Sequence, residues 1–424
     1  MKHLGENLWP VLSARFRAKT LWGFPIGMHA PESTKAAGSR GVALITAVLI
    51  IAMMLIFTTD MIINSTVALR LAVATRDNIK AEYMAKSGLN LSIFLLMADW
   101  GADLATFQAS GGQTMPSDGP EDFWAQLNGV PIGGATMELL TQSEKNFSLS
   151  KVNDSGVIDQ LKLFDGQFTL NVTDERSKVN INTCYRLRSG GECRTLLKAL
   201  LSCPAEHAFL EKRKVNADEL IANLKNWIDD DERVDEGTGS SELDPYEQRQ
   251  PKVHPKNAPF DTLEELKVVA GWEDDVYEVF SPYLTVFPYQ ELEGKCILGG
   301  GEKPEVNINS ASRELVGCLL PQASNTHAEK SLKWFNPLED VPKPDPANSL
   351  ASVNKMGDDL FGETDKERMK NFTYLSDTYR VVVQGEVGDQ TKKLETVLQR
   401  RFPNDEEKKQ GINTTYKILY FKML

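Results

Sequence analysis

The sequence has little positive charge and little histidine, and these shortages exclude several classes of function. The 424-residue chain carries 47 Lys and Arg against 59 Asp and Glu, a formal net charge of −12. Contacts with nucleic-acid phosphates need clustered Lys and Arg, so this balance disfavours a nucleic-acid partner. The five histidines lie apart in the sequence, and the chain contains no H-E-x-x-H, G-x-S-x-G or Walker A motif. We therefore expect no catalytic residues and no enzyme activity.

Long apolar runs are also scarce, which excludes a membrane protein with several spans. Residues 42–57 are almost wholly apolar, and a less apolar extension to Ile63 brings the stretch to 22 residues, close to the about 20 that a membrane-spanning helix needs. Residues 1–41 carry a net charge of +4, which leaves −16 for the rest of the chain. The positive-inside rule then predicts a single pass with a cytoplasmic N-terminus and an exported acidic bulk.

The apolar stretch continues into a helical pattern. Residues 64–100 contain no Pro and one Gly, Gly88, and their apolar positions recur largely at helical spacing. A cleaved signal peptide has a shorter apolar region that ends at a small-residue cleavage site. We therefore predict one long helix over residues 42–100, of which residues 42–63 span the membrane.

Cysteine is rare too, with five in the chain. Since all five fall in the exported part, where the compartment is oxidising, disulfides are expected, and the lack of a C-x-x-C pair disfavours zinc. They are Cys184, Cys193, Cys203, Cys296 and Cys318. The spacing suggests one bridge within the first three and another between the last two, but pairing cannot be deduced from sequence. The odd number leaves at least one cysteine free or paired between chains.

Strand signals flank a long, mainly helical stretch. Residues 168–174 alternate apolar and polar side chains, residues 379–387 and 392–400 bracket a Gly-Asp turn, and residues 416–421 add a last strand. The intervening stretch contains four short helix candidates: Thr195–Leu201, Ala217–Trp227, Thr262–Val269 and Asp274–Phe280. This order predicts an α+β fold in which a large helical domain is inserted into a sheet domain.

One short motif occurs twice. Val179–Asn182 reads Val-Asn-Ile-Asn, and the same four residues recur at Val306–Asn309. We interpret the repeat as one structural device used twice, with Asn side chains bridging backbone groups. Thr183 and Ser310 are the predicted N-caps of the helices that follow.

The densest acidic cluster follows Trp227. Its candidate metal ligands are Asp229, Asp230, Asp231, Asp235, Glu242 and Asp244. An EF-hand loop starting at Asp231 would have Arg233 at its third position, so that match is poor. Abundant hard oxygen ligands nevertheless favour calcium in an irregular loop, and the alternative is a solvated acidic face.

The junction before the apolar stretch resembles a type IV prepilin leader, because Ser39-Arg40-Gly41 is followed abruptly by apolar residues. The resemblance implies that prepilin peptidase cuts between Gly41 and Val42 and methylates the new N-terminus. Most pilin-like subunits have Glu at the fifth mature position, where this chain has Thr46. A subunit without that carboxylate suits the tip of a filament. The alternative is an uncleaved signal anchor.

From Gly41 to about Arg401 the order of motifs resembles the K minor pseudopilin family of type II secretion. The motifs are the two Val-Asn-Ile-Asn segments, Asn-Trp-Ile-Asp-Asp-Asp at 226–231, Phe-Asp-Thr-Leu-Glu-Glu-Leu-Lys at 260–267 and Pro-Tyr-Leu-Thr-Val at 282–286. The resemblance implies a pilin-like domain with a helical insertion and calcium in the insertion. The predicted segments are a leader (1–41), the long helix (42–100), a pilin-like domain (101–182 and 376–424) and the inserted helical domain (183–375).

The same resemblance implies a function and partners. The chain would lie at the tip of a periplasmic pseudopilus, anchored in the inner membrane. There it would initiate assembly with the minor pseudopilins I and J and the major pseudopilin, and support export of folded periplasmic proteins. Two alternatives stay open: a tip-located minor pilin of a type IV pilus, active in adhesion or DNA uptake, and a signal-anchored periplasmic hydrolase.

Overall fold

The computed structural model divides the chain into two compact units, residues 1–69 and residues 70–424. The structure describes residues 39–133, 166–185, 191–229, 241–247, 252–288, 305–319, 371–401 and 415–424, and the single residues 234, 249, 352 and 409.

The first unit contributes the start of a 71-residue helix, α1 (Ser39–Ala109). Its apolar side chains from Val42 to Ile63 are exposed. By length and composition alone, this helix is the one among the described residues that could cross a membrane. An apolar surface of this length fits a lipid environment.

The second unit contains the rest of α1 and a five-stranded antiparallel sheet. The strands are β1 (Pro131–Gly133), β2 (Gln167–Asp174), β7 (Thr378–Val387), β8 (Gln390–Arg401) and β9 (Thr415–Met423), in the spatial order β1-β2-β7-β8-β9. A short helix, α2 (Phe123–Gln126), precedes β1. Apolar residues of α1, including Ala85 and Leu96, share a core with Leu170 and Val383 of the sheet.

The chain between β2 and β7 builds a second core. Within the described residues, its helices are α3 (Gly191–Leu201), α4 (Pro204–Arg213), α5 (Ala217–Ile228), α6 (Asp274–Phe280) and α7 (Arg313–Leu319). Trp272, Phe260 and Phe280 are fully buried in this core, and the Trp272 indole N–H donates to the carbonyl of Leu220 (3.0 Å). Burial of apolar side chains of this size is the main stabilising contribution to such a helical domain.

Two pairs of short parallel strands join distant parts of this insertion, near its connections to the sheet domain. In one pair, β3 (Val179–Asn180) lies beside β4 (Leu284–Thr285); in the other, β5 (Val306–Asn307) lies beside β6 (Phe372–Thr373). The repeated motif therefore forms the same device twice. Its first Asn accepts a hydrogen bond from the backbone N–H two residues on, at Asn182 and at Asn309 (both 3.0 Å).

The predicted N-caps of this device are wrong. Thr183 lies inside a 3₁₀ helix, Ile181–Tyr185, and its hydroxyl donates to the carbonyl of Asn180 (2.6 Å). The cap of α7 is Ser312, whose Oγ accepts from the Leu315 N–H (3.2 Å). The chain makes a further turn after the second motif before the helix begins, so the cap falls two residues later than Ser310.

Most predicted elements are confirmed, including the terminal hairpin, whose Gly388 has φ of +56°. Two differ. The helix predicted at Thr262–Val269 is a 3₁₀ helix, Leu263–Val268, the form that short segments favour. Helix α1 continues past Trp100 to Ala109, because Gly101 is exposed and residues 102–109 favour helix; Gly111 and Gly112, both at positive φ, follow it. The α+β class is confirmed, while the segment boundaries remain predictions.

Candidate functional site

The predicted processing site lies in the first turn of α1. Gly41 and Val42 are exposed there, and the Thr46 hydroxyl donates to the carbonyl of Ala43 (3.0 Å). Thr46 thus satisfies its own hydroxyl within the helix and needs no partner in an apolar environment. The cleavage and the tip position remain predictions.

A buried ionic cluster lies where the insertion leaves the sheet. The Arg380 Nε on β7 donates to the Glu175 carboxylate (2.5 Å), and its guanidinium also bonds Glu395 of β8. Glu175 is fully buried and also accepts from the Thr285 hydroxyl of β4. Burial raises the pKa of Glu175, but Lys178 and Arg380 lower it more, so the pKa lies below its ordinary value. This carboxylate fixes the insertion against the sheet as an anion.

A second buried cluster centres on Arg400 of β8, which is 2% exposed. Its Nη2 lies 3.1 Å from an Asp118 carboxylate oxygen and donates to the Tyr379 hydroxyl (2.7 Å). The Asn307 amide of β5 donates to the Asp118 carbonyl and to the Asp174 carboxylate (both 2.9 Å). The second copy of the repeated motif is thus anchored to the sheet domain.

Sequence reasoning missed both clusters. One signal was available: the alternation that buries Leu394 and Leu398 of β8 also places Arg400 on the buried face. A charged residue at an inward strand position requires a partner. Its partner, Asp118, is 282 residues away in sequence, and no local pattern identifies it.

The predicted metal ligands lie partly within the described residues. Asp229 ends α5, Glu242 is 3% exposed, and Asp244 accepts from the Ser241 N–H (3.1 Å). Asp230, Asp231 and Asp235 lie outside the described residues.

Contacts bring the segments around Asp229 and Glu242 together. The Asn257 N–H donates to the Trp227 carbonyl (2.9 Å), and Trp227 packs on Tyr246 with ring centroids 5.6 Å apart. Beside Trp227, the buried Oδ1 of Asn226 accepts no hydrogen bond from any residue that the structure describes. Carboxylate and amide oxygens of this kind are the ligands that calcium prefers, so the residues present fit the predicted ion.

One disulfide joins Cys203 to Cys318, with Cα atoms 5.2 Å apart. The suggested Cys296–Cys318 bridge is therefore wrong. Packing of α7 against α3 brings Cys318 next to Cys203, at the start of α4, although 115 residues separate them in sequence. Cys296 and the side chains of Cys184 and Cys193 lie outside the described residues.

Residues 180–289 match the family model described as type II secretion system (T2SS), protein K. We call this segment the K domain, after the family model that it matches. The K domain, residues 180–289, contains α3 to α6, the buried Trp272 and the predicted calcium ligands. The predicted resemblance to the K family is thereby confirmed.

A solved structure shares the fold of the longer chain. It is GspK in the crystal structure of the GspK–GspI–GspJ complex from the enterotoxigenic Escherichia coli type 2 secretion system, with a TM-score of 0.54 and 14% sequence identity. The match covers 83% of this chain and 99% of that one. Since the likeness extends beyond the K domain, the sheet domain belongs to the shared fold as well. A comparison with curated protein sequences finds no match.

Proposed function

We propose that this chain is a minor pseudopilin of type II secretion and lies at the tip of a periplasmic pseudopilus. The observation that carries the proposal is the K domain, which begins directly after β2 of a sheet that packs on a long, N-terminally apolar helix. A helix with an exposed apolar start and a packed second half suits a subunit that is anchored in the inner membrane and then drawn into a filament. The role is structural, not enzymatic.

Two features support the tip position. Thr46 stands at the position where most pilin-like subunits have a glutamate, whose carboxylate contacts a neighbouring subunit. The insertion between β2 and β7 is also large enough to obstruct stacking along a filament shaft. The solved GspK relative assembles with GspI and GspJ, so we propose the corresponding minor pseudopilins as partners, and initiation of assembly for protein export as the role.

We also propose that the K domain holds calcium through Asp229, Glu242 and neighbouring oxygens. A calcium ion there would supply positive charge that holds the acidic segment after α5 in place. Loss of the ion would leave these carboxylates to repel one another. Removal of calcium with EGTA should therefore lower the melting temperature of the full chain, and Asp229→Asn should reduce that effect.

The first test of the function is N-terminal peptide mass spectrometry on protein extracted from its native membranes. The expected mature chain begins at N-methylated Val42. Gly41→Leu should retain the leader, whereas Gly38→Leu, a matched change three residues earlier, should be processed normally. A wild-type chain that still begins at Met1 would overturn the filament-subunit proposal.

A second test addresses the partners. Affinity purification of the tagged chain after crosslinking should recover the two other minor pseudopilins in wild type and in Gly38→Leu, but not in Gly41→Leu. Recovery of type IV pilus subunits instead, with loss of surface pili and intact secretion in a deletion strain, would assign the chain to a pilus.

A further inference from the structure

Four carboxylates gather at the end of α1, outside the K domain. Asp99 and Asp103 lie on α1, while Asp118 and Asp122 lie in the segment that leads into α2. Ligand oxygens of Asp99, Asp118 and Asp122 all lie within 4.8 Å of one another. None of the four was among the residues that the sequence marked as metal ligands.

Asp99 is the unusual member of this group. Its side chain is 8% exposed, and its buried Oδ2 has no hydrogen-bond partner among the described residues. The other three carboxylates all accept backbone hydrogen bonds: from Ser117 N–H (Asp103, 3.3 Å), Ser376 N–H (Asp118, 2.8 Å) and Gly119 N–H (Asp122, 2.6 Å). A buried carboxylate that lies beside two others and has an oxygen without a donor is costly unless a cation is present.

The charges around the group do not balance. Among the described residues, the guanidinium of Arg400 on β8 contacts the group, and it already pairs with Asp118. Asp174 of β2 adds a further nearby carboxylate, and Tyr379 and Tyr416 contribute neutral hydroxyls. When its carboxylates are ionised, the group therefore carries more negative charge than Arg400 offsets.

We propose that Asp99, Asp118 and Asp122, with Asp103 beside them, bind one divalent cation, and that the ion is calcium. All donors are carboxylate oxygens, the ligands of hard cations. Calcium–oxygen distances are about 2.3–2.6 Å, so ligands on opposite sides of the ion lie up to about 5 Å apart. The oxygens of the three residues lie within 4.8 Å of one another, close enough to bind one ion together. Magnesium is usually held by one or two carboxylates and several waters, so a group of this many carboxylates favours calcium.

Such an ion would join the end of α1 to the segment before α2. Asp118 is also bonded to Arg400 and Tyr379, so the ion would extend the buried cluster of β7 and β8 to the helix. The site lies in the sheet domain and does not depend on the secretion role or on the calcium proposed in the K domain.

The test is calorimetric titration of the full, detergent-solubilised chain with calcium chloride, in wild type, Asp99→Asn and Asp122→Asn. Each variant should lose one binding event or weaken it at least tenfold. Asp389→Asn, an exposed change at the β7–β8 turn with the same loss of charge, should bind as wild type does. Asp229→Asn should leave this event unchanged, which separates the two proposed sites.

Melting curves in EDTA and in calcium supply a second readout. If Asp99 had a purely structural role, its substitution would change the melting temperature equally in both conditions. In EDTA, Asp99→Asn should melt no lower than wild type, since it removes a buried carboxylate oxygen that has no hydrogen-bond partner among the described residues. In calcium, wild type should gain stability that the variant does not. The proposal is overturned if both Asn variants bind calcium with wild-type stoichiometry and affinity, or if the wild type binds no calcium that these changes remove.

Discussion

At the scale of single residues, buried charges decide how separate segments of the chain pack on the sheet. Arg400 and Asp118 lie on different segments, are almost wholly buried, and share Tyr379. Such a pair contributes little net stability compared with well-packed apolar residues, but breaking it leaves one charge buried without its partner. The pair therefore selects one arrangement of the segment before α2 against β8.

Removal of one partner is expected to be severe. Arg400→Gln should lower the free energy of unfolding by about 3–5 kcal/mol, because Asp118 would remain buried and uncompensated. Chemical denaturation of the detergent-solubilised chain measures this loss. Lys393→Gln, on the same strand but exposed, is the control and should change stability by less than about 0.5 kcal/mol. Equal effects of the two changes would contradict a paired, buried Arg400.

The same reasoning predicts a pH dependence. The pKa values of Glu175 and Asp377 lie below their ordinary values: burial raises both, but Lys178 and Arg380 around Glu175, and Arg176 and Arg400 around Asp377, lower them more. A carboxyl group with a depressed folded-state pKa contributes stability that is present above the unfolded-state pKa, about 4, and is lost as pH falls through the folded-state value.

Unfolding measured from pH 7 to pH 2.5 should therefore show stability falling below about pH 4. Glu175→Gln should have a lower free energy of unfolding than wild type at pH 7. This difference should shrink as the pH falls toward 2.5, where Glu175 becomes protonated. Glu264→Gln, an exposed change, should follow the wild-type curve throughout. A constant difference between Glu175→Gln and wild type at every pH would contradict an ionised Glu175.

At the scale of elements, close contact between α1 and the sheet depends on glycine. A Cβ built at Gly385 of β7 would lie 2.6 Å from the Ala85 backbone nitrogen, and one at Gly88 would lie 2.8 Å from Phe168 Cδ2. The helix backbone therefore lies directly on the strands at this point. Gly101, in the same helix, has nothing within 4 Å of such a Cβ.

The two helix glycines should respond in opposite directions to the same substitution. Gly88→Ala should destabilise the chain by about 1–3 kcal/mol, because the helix or the sheet has to move. Gly101→Ala should stabilise it by up to about 1 kcal/mol, because alanine favours the helix and meets no neighbour. Thermal unfolding of both variants checks the signs, and a destabilising Gly101→Ala would show that this part of α1 is packed.

At the scale of the whole molecule, the sequence combines a basic N-terminal segment, an apolar stretch long enough to span a membrane, and an acidic body. The positive-inside rule predicts that the basic segment is cytoplasmic and that the body lies on the other side of the membrane. This orientation is what a pseudopilus subunit requires, since the filament forms in the periplasm.

The orientation predicts a pattern of protease sensitivity. Protease added to spheroplasts should degrade the body, whereas the body should be protected in intact cells and in inverted inner-membrane vesicles. Immunoblotting with antibody against the C-terminal hairpin measures the result, and a cytoplasmic protein serves as the lysis control. Degradation of the body in inverted vesicles but not in spheroplasts would contradict the predicted topology.

Features that arise from local pattern can be predicted from the sequence alone. These are the long helix, the alternating strands of the sheet, the hairpin around Gly388 and the order of motifs that indicates a K domain. Each depends on residues within one or two turns or strands of each other, where periodicity and turn chemistry are visible. The repeated Val-Asn-Ile-Asn device also belongs here, since its Asn turn involves residues two apart.

Contacts between residues that are distant in sequence follow from the packing of the folded chain and are not visible in any local pattern. Cys203 pairs with Cys318, and Arg400 with Asp118, because packing brings segments together across 115 and 282 residues of sequence. Asp99, Asp118 and Asp122 are an unremarkable set of acids in the sequence and form a cluster only when α1 meets the segment before α2. Burial then changes the acidity of these carboxylates, because the low polarity of the interior and the repulsion among like charges act only on groups that folding has brought together.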